Sequence, residues 1–142
     1  MATVVTDMTM SLDGFIADAS DGVDDLFGWY ENGSVEVPAP AKMAFHVTEQ
    51  SARNLRELID GVGAFVCGRR LFDVTDGWEG QHPFDVPVFV VTHSIPKGRP
   101  RGGEPTTFVT DGIESAIAQA STTAGEGVVL IQGADVASQC IV

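Results

Sequence analysis

Apolar and polar residues alternate along the first part of the chain. Further along, the apolar residues form short continuous runs. Residues 4–12 alternate with a period of two, which predicts a strand with one apolar face and one polar face. Four further runs predict strands, and the longest has the nearly continuous apolar character of a strand that is covered on both faces. These runs are residues 64–67, 86–92, 106–109 and 128–131.

Segments with helical spacing separate the strands. Thr48 is an N-cap residue, apolar residues then recur at helical spacing, and Gly61 is a stop signal, so a helix is predicted between them. Residues 111–114 have the pattern of a capping box. The other predicted helices are residues 69–74, residues 111–120, and a segment that begins at residue 134.

A long loop rich in Asp and Gly, from Asp18 to about Pro40, separates the first strand from the first helix. Its length is typical of a functional or mobile segment. The order β, loop, α, β, α, β, β, α, β, α predicts an α/β fold with a mostly parallel central sheet flanked by helices. The length of 142 residues, with no internal repeat or hinge sequence, predicts a single domain spanning residues 1–142.

Charge narrows the classes of partner. The chain carries 20 acidic and 8 basic residues, for a formal net charge of −12. This charge would repel phosphate backbones and anionic lipid surfaces, so we expect neither nucleic acid nor a membrane as partner.

The sequence shows no basic leader and no membrane-length apolar stretch, which predicts a cytoplasmic protein. Cys67 and Cys140 fit no disulfide or metal-ligand pattern, so we expect two reduced, buried thiols and no metal site.

Five of the eight basic residues follow the predicted ends of two strands, where ligands bind in open α/β sheets. Arg69 and Arg70 come directly after Gly68, which permits close approach of a ligand. The free N–H groups of the next helix and the forked donors of paired arginines would both suit a phosphate. The alternative is that both arginines are solvated surface charges. The second basic group, after the run 86–92, is Lys97, Arg99 and Arg101.

Four segments, MTMSLDGFIAD, VCGRRLF, VFVVTHS and VLIQGADVASQ, resemble in this order the dihydrofolate reductase-like superfamily. The resemblance is to the reductase domain of bacterial riboflavin-biosynthesis deaminase-reductases and their stand-alone relatives, and it covers most of the chain. It implies a three-layer fold and an NADPH-dependent oxidoreductase of the 5-amino-6-(5-phosphoribosylamino)uracil reductase type. Hydride would pass to a small polar heterocycle or a sugar-derived substrate, and the cofactor would supply that chemistry.

The resemblance also implies which residues contact the cofactor. Ile16 and Ala17 would lie beside the nicotinamide, and Arg69 and Arg70, after Gly68, would face the phosphates. Thr92 and His93 would border the 2′-phosphate, and the turn of Gly133, Ala134 and Asp135 would meet the pyrophosphate. Two of these residues could instead be structural, because His93 could be an exposed strand-end residue and Gly133 could serve turn geometry alone.

Two carboxylates are candidates for a catalytic role. Asp7 falls on the polar face of the first strand, where burial would favour its protonated form, so it could contact a polar heterocycle or donate a proton. Asp13 could act in the same way, or could only shape the turn in which it lies. Trp29, Tyr30 and Trp78 could line a substrate cleft or cap the edge of the core, and we do not predict a catalytic role for them.

The sequence departs from the family at several places. Leu71 stands where relatives often have a hydroxyl, and Gln132 stands where many have the first glycine of a pair. The helix over residues 48–60 has no carboxylate aligned with the one that dihydrofolate reductases use for protonation, which argues against folate. The apolar ending at residues 140–142 predicts a domain that lacks its C-terminal strands, and hence marginal stability or a homodimer. The alternative to a reductase is a non-catalytic nucleotide-binding or interaction domain, or an inactive truncated relative.

Overall fold

The elements are those of a computed structural model, which describes residues 1–41, 43–98 and 106–141. Its strands are β1 (Thr3–Thr6), β2 (Val35–Ala39), β3 (Met43–Val47), β4 (Val62–Gly68), β5 (Val88–Val91), β6 (Thr106–Val109) and β7 (Val128–Gln132). Its α-helices are α1 (Asp24–Phe27), α2 (Glu49–Gly61), α3 (Arg69–Val74), α4 (Ile113–Ala124) and α5 (Ala134–Gln139). A short 3₁₀ helix covers Gly28–Glu31, and a turn with positive φ angles covers Asp76–Gly80.

The central sheet has the strand order β1-β7-β4-β5-β6, and each of its pairings is parallel. β7 and β4 are neighbours at its middle, with Leu130 opposite Phe65 and Ile131 opposite Val66. β1 pairs with β7 through Thr6 opposite Ile131. All the carboxyl ends of these strands therefore meet at one edge of the sheet, where side chains far apart in sequence come together.

Both faces of the sheet are covered, as the apolar runs predict. In β7, Val129 and Ile131 pack in a cluster with residues of α4 and α5, while Leu130 packs in a second cluster that includes Phe72 of α3 and, at its margin, Leu58 of α2. Successive side chains of a strand point to opposite faces, so a continuous apolar run supplies both layers. The three-layer α/β fold with a parallel central sheet is confirmed.

A hairpin that the sequence did not predict forms a third cluster. β2 and β3 pair antiparallel and pack on α2, with Val37 and Phe45 almost completely buried beside Leu55. The predicted loop to about Pro40 is therefore wrong at its end. Pro38 lies in β2, which pairs only with β3 among the described strands, and such an edge strand tolerates proline.

The first strand and the start of α4 also differ from their predictions. The strand predicted over residues 4–12 ends at Thr6, and its four residues are all exposed, since β7 offers partners only on one side. The predicted capping box is also wrong: α4 begins after Gly112, whose φ is 103°, and no side chain caps it. The N-cap of α2 is confirmed, because the Thr48 side chain accepts a hydrogen bond from the backbone N–H of Ser51. None of the helices in the described part of the chain is long and apolar enough to span a membrane.

Candidate functional site

A large open cleft lies at the carboxyl ends of the parallel strands. Its volume is about 1690 Å³, and residues that follow β1, β4, β5 and β7 line it. Its opposite wall is the segment that leads from β1 toward the hairpin, including Asp21, Trp29 and Tyr30. Several predicted site residues that are distant in sequence, including Gly68, Thr92 and Gly133, meet in this one cleft.

The middle of the cleft is a switch point of the sheet. The helix after β4 packs in the cluster on one face, and the helix after β7 packs in the cluster on the other. Neighbouring strands whose connections leave to opposite faces open a crevice between their ends, which is where ligands bind in such sheets. The topology therefore places the cleft at the point where a ligand is expected.

Two glycines lie side by side at this switch point. Gly133 has a φ of 116°, which residues that carry a side chain rarely adopt. A Cβ built on Gly133 would lie 3.9 Å from the backbone nitrogen of Gly68. A Cβ on Gly68 would lie 3.0 Å from Cγ2 of Val136 in α5. Both positions thus leave the backbone uncovered at the crevice, and a side chain at Gly68 would also press on Val136 of α5.

Arg69 lies at the start of α3 and is tied to the protein. Its Nε donates to both carboxylate oxygens of Asp73, at 2.9 and 2.8 Å, and one terminal nitrogen donates to the carbonyl oxygen of Ser94 at 3.2 Å. These contacts link α3 to the segment after β5. Arg69 therefore lies in the cleft, as predicted, with much of its donor capacity already used.

Arg70 is held differently, because its partner comes from a distant loop. Its terminal nitrogen donates to the carboxylate of Asp21, 49 residues away along the chain. The Arg70 side chain is 77% exposed and that of Asp21 is 35% exposed. Both line the cleft. The acidic loop thus reaches across to the basic turn after β4, a contact that no local sequence pattern indicates.

The segment after β5 supplies Thr92 and His93. Thr92 is buried, and its hydroxyl donates to the carbonyl oxygen of Ser94 at 2.9 Å and accepts from the backbone N–H of Ser94 at 3.4 Å. His93 is exposed at the cleft. Lys97 is exposed as well. The other two members of the second basic group, Arg99 and Arg101, lie outside the described residues.

The turn after β7 exposes Ala134 and Asp135 at the cleft. The Asp135 carboxylate accepts a hydrogen bond from the side-chain amide of Gln139 at 3.0 Å. The backbone N–H of Gly133 points to the sulfur of Met8 at 3.3 Å. This segment is therefore a glycine turn joined to the chain that follows β1, and its contact with a pyrophosphate stays a prediction.

Of the two carboxylates predicted to be catalytic, neither is buried. Asp7 follows β1 and is exposed, so the expectation that Asp7 is buried is wrong, because β1 has no second neighbouring strand to cover it. Asp13 is exposed and accepts a hydrogen bond from the hydroxyl of Ser11 at 2.7 Å, in a tight turn closed by Ser11 and Phe15. Both line the cleft. Their geometry matches the turn-shaping alternative for Asp13 and leaves Asp7 open to solvent.

Ile16 and Ala17 lie on the same wall and are half-buried. They are the apolar part of a segment that otherwise carries many carboxylates. The described lining residues include two arginines and seven aspartates, so the cleft is mostly acidic, with its positive charge confined to the turn after β4. No group of three or more His, Cys, Asp or Glu side chains within the described ranges could hold a metal ion.

An aromatic group forms the wall nearest the hairpin. The Trp29 indole N–H donates to the hydroxyl of Thr9 at 3.2 Å, and the Tyr30 ring lies 4.5 Å from Trp29, 4.9 Å from Phe27 and 4.7 Å from Phe45 between ring centroids. Burial, with the nearby charge of Asp7, raises the pKa of Tyr30 to about 12. Trp29 and Tyr30 therefore do both things that the sequence left open, since they line the cleft and cap the hairpin cluster.

The remaining aromatic candidate, Trp78, lies away from the cleft. It belongs to a run from Asp76 to Gly80 in which every φ is positive, between 50° and 91°, and it packs edge-on against Phe65, 5.4 Å away between ring centroids. The rings of Phe65, Trp78 and Phe84 surround His82, which sequence reasoning did not identify. The sequence around it, with Gln81, Pro83 and Asp85 nearby, has no pattern that marks a buried histidine.

The two cysteines differ. Cys67 is fully buried in β4, and burial raises the pKa of its thiol. Cys140 is exposed, so the expectation that both thiols are buried is wrong. It lies just beyond α5, where little of the chain covers it, and both partial burial and the charge of Glu114 raise its pKa.

Comparison with solved structures finds chains of similar fold. A crystal structure from Shewanella sp. PV-4, named "putative riboflavin biosynthesis protein", is similar to this chain with a TM-score of 0.62 and 26% sequence identity. The similarity covers 96% of this chain and 67% of the Shewanella chain. No protein-family model matches the chain. No curated protein matches it either.

Proposed function

We propose that this protein is an NADPH-dependent reductase related to the riboflavin-biosynthesis reductases, which passes hydride to a small polar heterocycle or a sugar-derived substrate. The observation that carries the proposal is the cleft at the switch point, where bare glycine turns meet beside two arginines. The likeness to the Shewanella protein supports a related function. The resemblance of the four sequence segments supplies the type of cofactor.

The residues of the cleft fit a dinucleotide that carries phosphates. A volume of about 1690 Å³ leaves room for a cofactor and a substrate together. Gly68 and Gly133 allow a phosphate to approach the backbone, and Arg69 and Arg70 supply forked donors on the same side. The aspartates of the opposite wall would repel phosphates, so we expect the phosphates at the arginine end. The uncharged rings would then lie toward Ile16 and the aromatic wall.

The protein's share of the chemistry would be orientation and charge placement. NADPH supplies the hydride when it is bound. Gly68 and the arginines would hold the phosphates, and Ile16 and Ala17 would form an apolar surface beside the reacting ring. Asp7 and Asp13, both at the cleft, would accept hydrogen bonds from the substrate's polar groups.

The test is titration of NADPH into the purified protein, followed by nicotinamide fluorescence. We expect saturable binding by the parent and at least tenfold weaker binding by the Arg69→Ala, Arg70→Ala double variant, because charge-assisted hydrogen bonds contribute about 1.5–3 kcal/mol each. The matched control is the Arg53→Ala, Arg56→Ala double variant. It loses the same charge from α2, outside the cleft, and should bind like the parent.

A parent that does not bind NADPH, or arginine and control variants that bind equally, would refute the proposal. Binding should be followed by a substrate screen that monitors NADPH oxidation. Tight binding without turnover of any carbonyl or imine compound would favour the non-catalytic nucleotide-binding domain instead.

A further inference from the structure

The two arginines of the cleft differ in what must happen before a ligand can bind them. Asp73, the partner of Arg69, lies one turn further along the same helix, and their contact needs no other part of the fold. Asp21, the partner of Arg70, belongs to the acidic loop on the opposite wall. A ligand that binds Arg70 must therefore replace a carboxylate that comes from across the cleft.

Asp21 is presented to Arg70 by an ordered turn. The Asp18 carboxylate accepts hydrogen bonds from the backbone N–H groups of Gly22 and Ser20, at 2.8 and 2.7 Å, and these bonds lower the pKa of Asp18. The backbone closes the same turn, with Asp18 N donating to the carbonyl oxygen of Gly22 at 2.9 Å. Asp21 itself has a φ of 65°, which Asp tolerates better than most residues. The turn thus holds the backbone of Asp21 in one defined conformation beside Arg70.

The Asp21 carboxylate and a phosphate would compete for the same donors. The guanidinium of arginine pairs with carboxylates and phosphates through the same planar fork. An exposed ion pair contributes little to stability, so a ligand with more than one negative charge can displace it. A neutral hydroxyl cannot, because it offers Arg70 less than the carboxylate already provides.

We propose that Asp21 is an internal competitor for Arg70, and that it makes this cleft selective for ligands that place a phosphate at Arg70. The inference rests on the proposed function in one respect, namely that the natural ligand carries phosphate. When such a ligand binds, the turn that carries Asp21 leaves Arg70 and its carboxylate becomes solvated. When none is bound, the contact joins the two walls.

The experiment compares Asp21→Asn with Asp25→Asn, each in the parent and in an Arg70→Ala background. Asp25 lines the same wall and makes no ion pair with the described residues, so its substitution removes one charge without freeing Arg70. Calorimetric titrations use two probes, inorganic tripolyphosphate and NADPH. We expect Asp21→Asn to bind tripolyphosphate about two- to fivefold more tightly than Asp25→Asn, as the strength of an exposed ion pair allows. The difference should vanish in the Arg70→Ala background.

Equal affinities of the two asparagine variants would overturn the inference, because removal of Asp21 would then act only through net charge. A difference that persists without Arg70 would overturn it too, and so would a failure of every variant to bind tripolyphosphate. The NADPH arm separates this inference from the proposed function. Should the tripolyphosphate pattern hold while NADPH binds to no variant, the competition stands and the nicotinamide-dependent reductase does not.

Discussion

His82 should make the stability of this protein depend on pH in a way that can be calculated. The side chain is 6% exposed, and its ring lies 4.2 Å from Phe65, 4.8 Å from Trp78 and 5.3 Å from Phe84 between ring centroids. Its Nδ1 accepts a hydrogen bond from the backbone N–H of Phe84 at 3.2 Å. A protonated ring would lose this bond and place a charge among aromatic rings. Burial accordingly lowers the pKa of His82 from its ordinary 6.5 to about 4.

The sign and size of the effect follow from this shift. The unfolded chain binds a proton at His82 more readily than the folded protein, so stability falls as the pH decreases from 6.5 toward 4. The loss relative to pH 7 is about 2 kcal/mol at pH 5 and about 3 kcal/mol at pH 4. For a small domain, 2 kcal/mol is a large part of the whole free energy of unfolding.

The assay is urea unfolding at pH 7, 6 and 5 for the parent and for His82→Asn, whose side-chain oxygen can still accept from Phe84. Other titrating groups act in both proteins, so the difference between the two pH dependences isolates His82. The parent should lose about 2 kcal/mol more than the variant between pH 7 and pH 5. Equal pH dependences would refute the reasoning. If the variant does not fold, NMR titration of the ring in the parent measures the pKa directly, and a value near 6.5 would contradict a buried neutral His82.

Two further predictions concern a glycine contact and the single tyrosine. Gly33→Ala should destabilise the protein by about 3 kcal/mol or more in thermal unfolding, because its Cβ would lie 2.1 Å from backbone atoms of β3. Gly28→Ala, which meets nothing within 4 Å and has a φ of −54°, should instead be neutral or stabilise by about 0.5 kcal/mol, and similar losses in both variants would argue against the contact. Tyr30 is the only tyrosine of the chain, so absorbance near 295 nm reports its ionisation directly. It should remain protonated at about pH 10.5 in the folded protein and ionise at lower pH in Asp7→Asn, whereas ionisation near pH 10 in the folded parent would contradict a pKa raised to about 12.

The parts of the fold that the sequence predicted are those in which one pattern dominates. The apolar run of β7 has no polar position that could be exposed, so a buried strand was the consistent interpretation. The hairpin also has the alternation of a strand pair, with Val35 and Val37 inward and Glu36 outward, but Pro38 and the acidic loop before it favoured irregular structure. The first strand was predicted too long, because the alternation continues past Thr6 although no neighbouring strand accompanies it.

For the site, the sequence indicated the turn after β4 but not which residues pair with its two arginines. The position of Arg69 and Arg70 after Gly68 follows from local spacing, and the structure places all three at the cleft. The pairing of Arg70 with Asp21 depends on how β1 and β4 are arranged in the sheet, and β7 lies between them. A contact between residues 49 apart cannot be inferred from a single sequence without that strand order.

The two walls of the cleft belong to different packing units. The glycine turns and arginines follow strands of the central sheet, whereas Trp29 and Tyr30 pack with the hairpin and α2 in a cluster of their own. Substitutions that change the volume of the hairpin cluster can therefore reshape one wall while the other keeps its geometry. In evolution, the shape of one wall could change through the hairpin without a change in the glycine turns that follow β4 and β7. The same separation makes the hairpin the natural place to begin a redesign of the cleft.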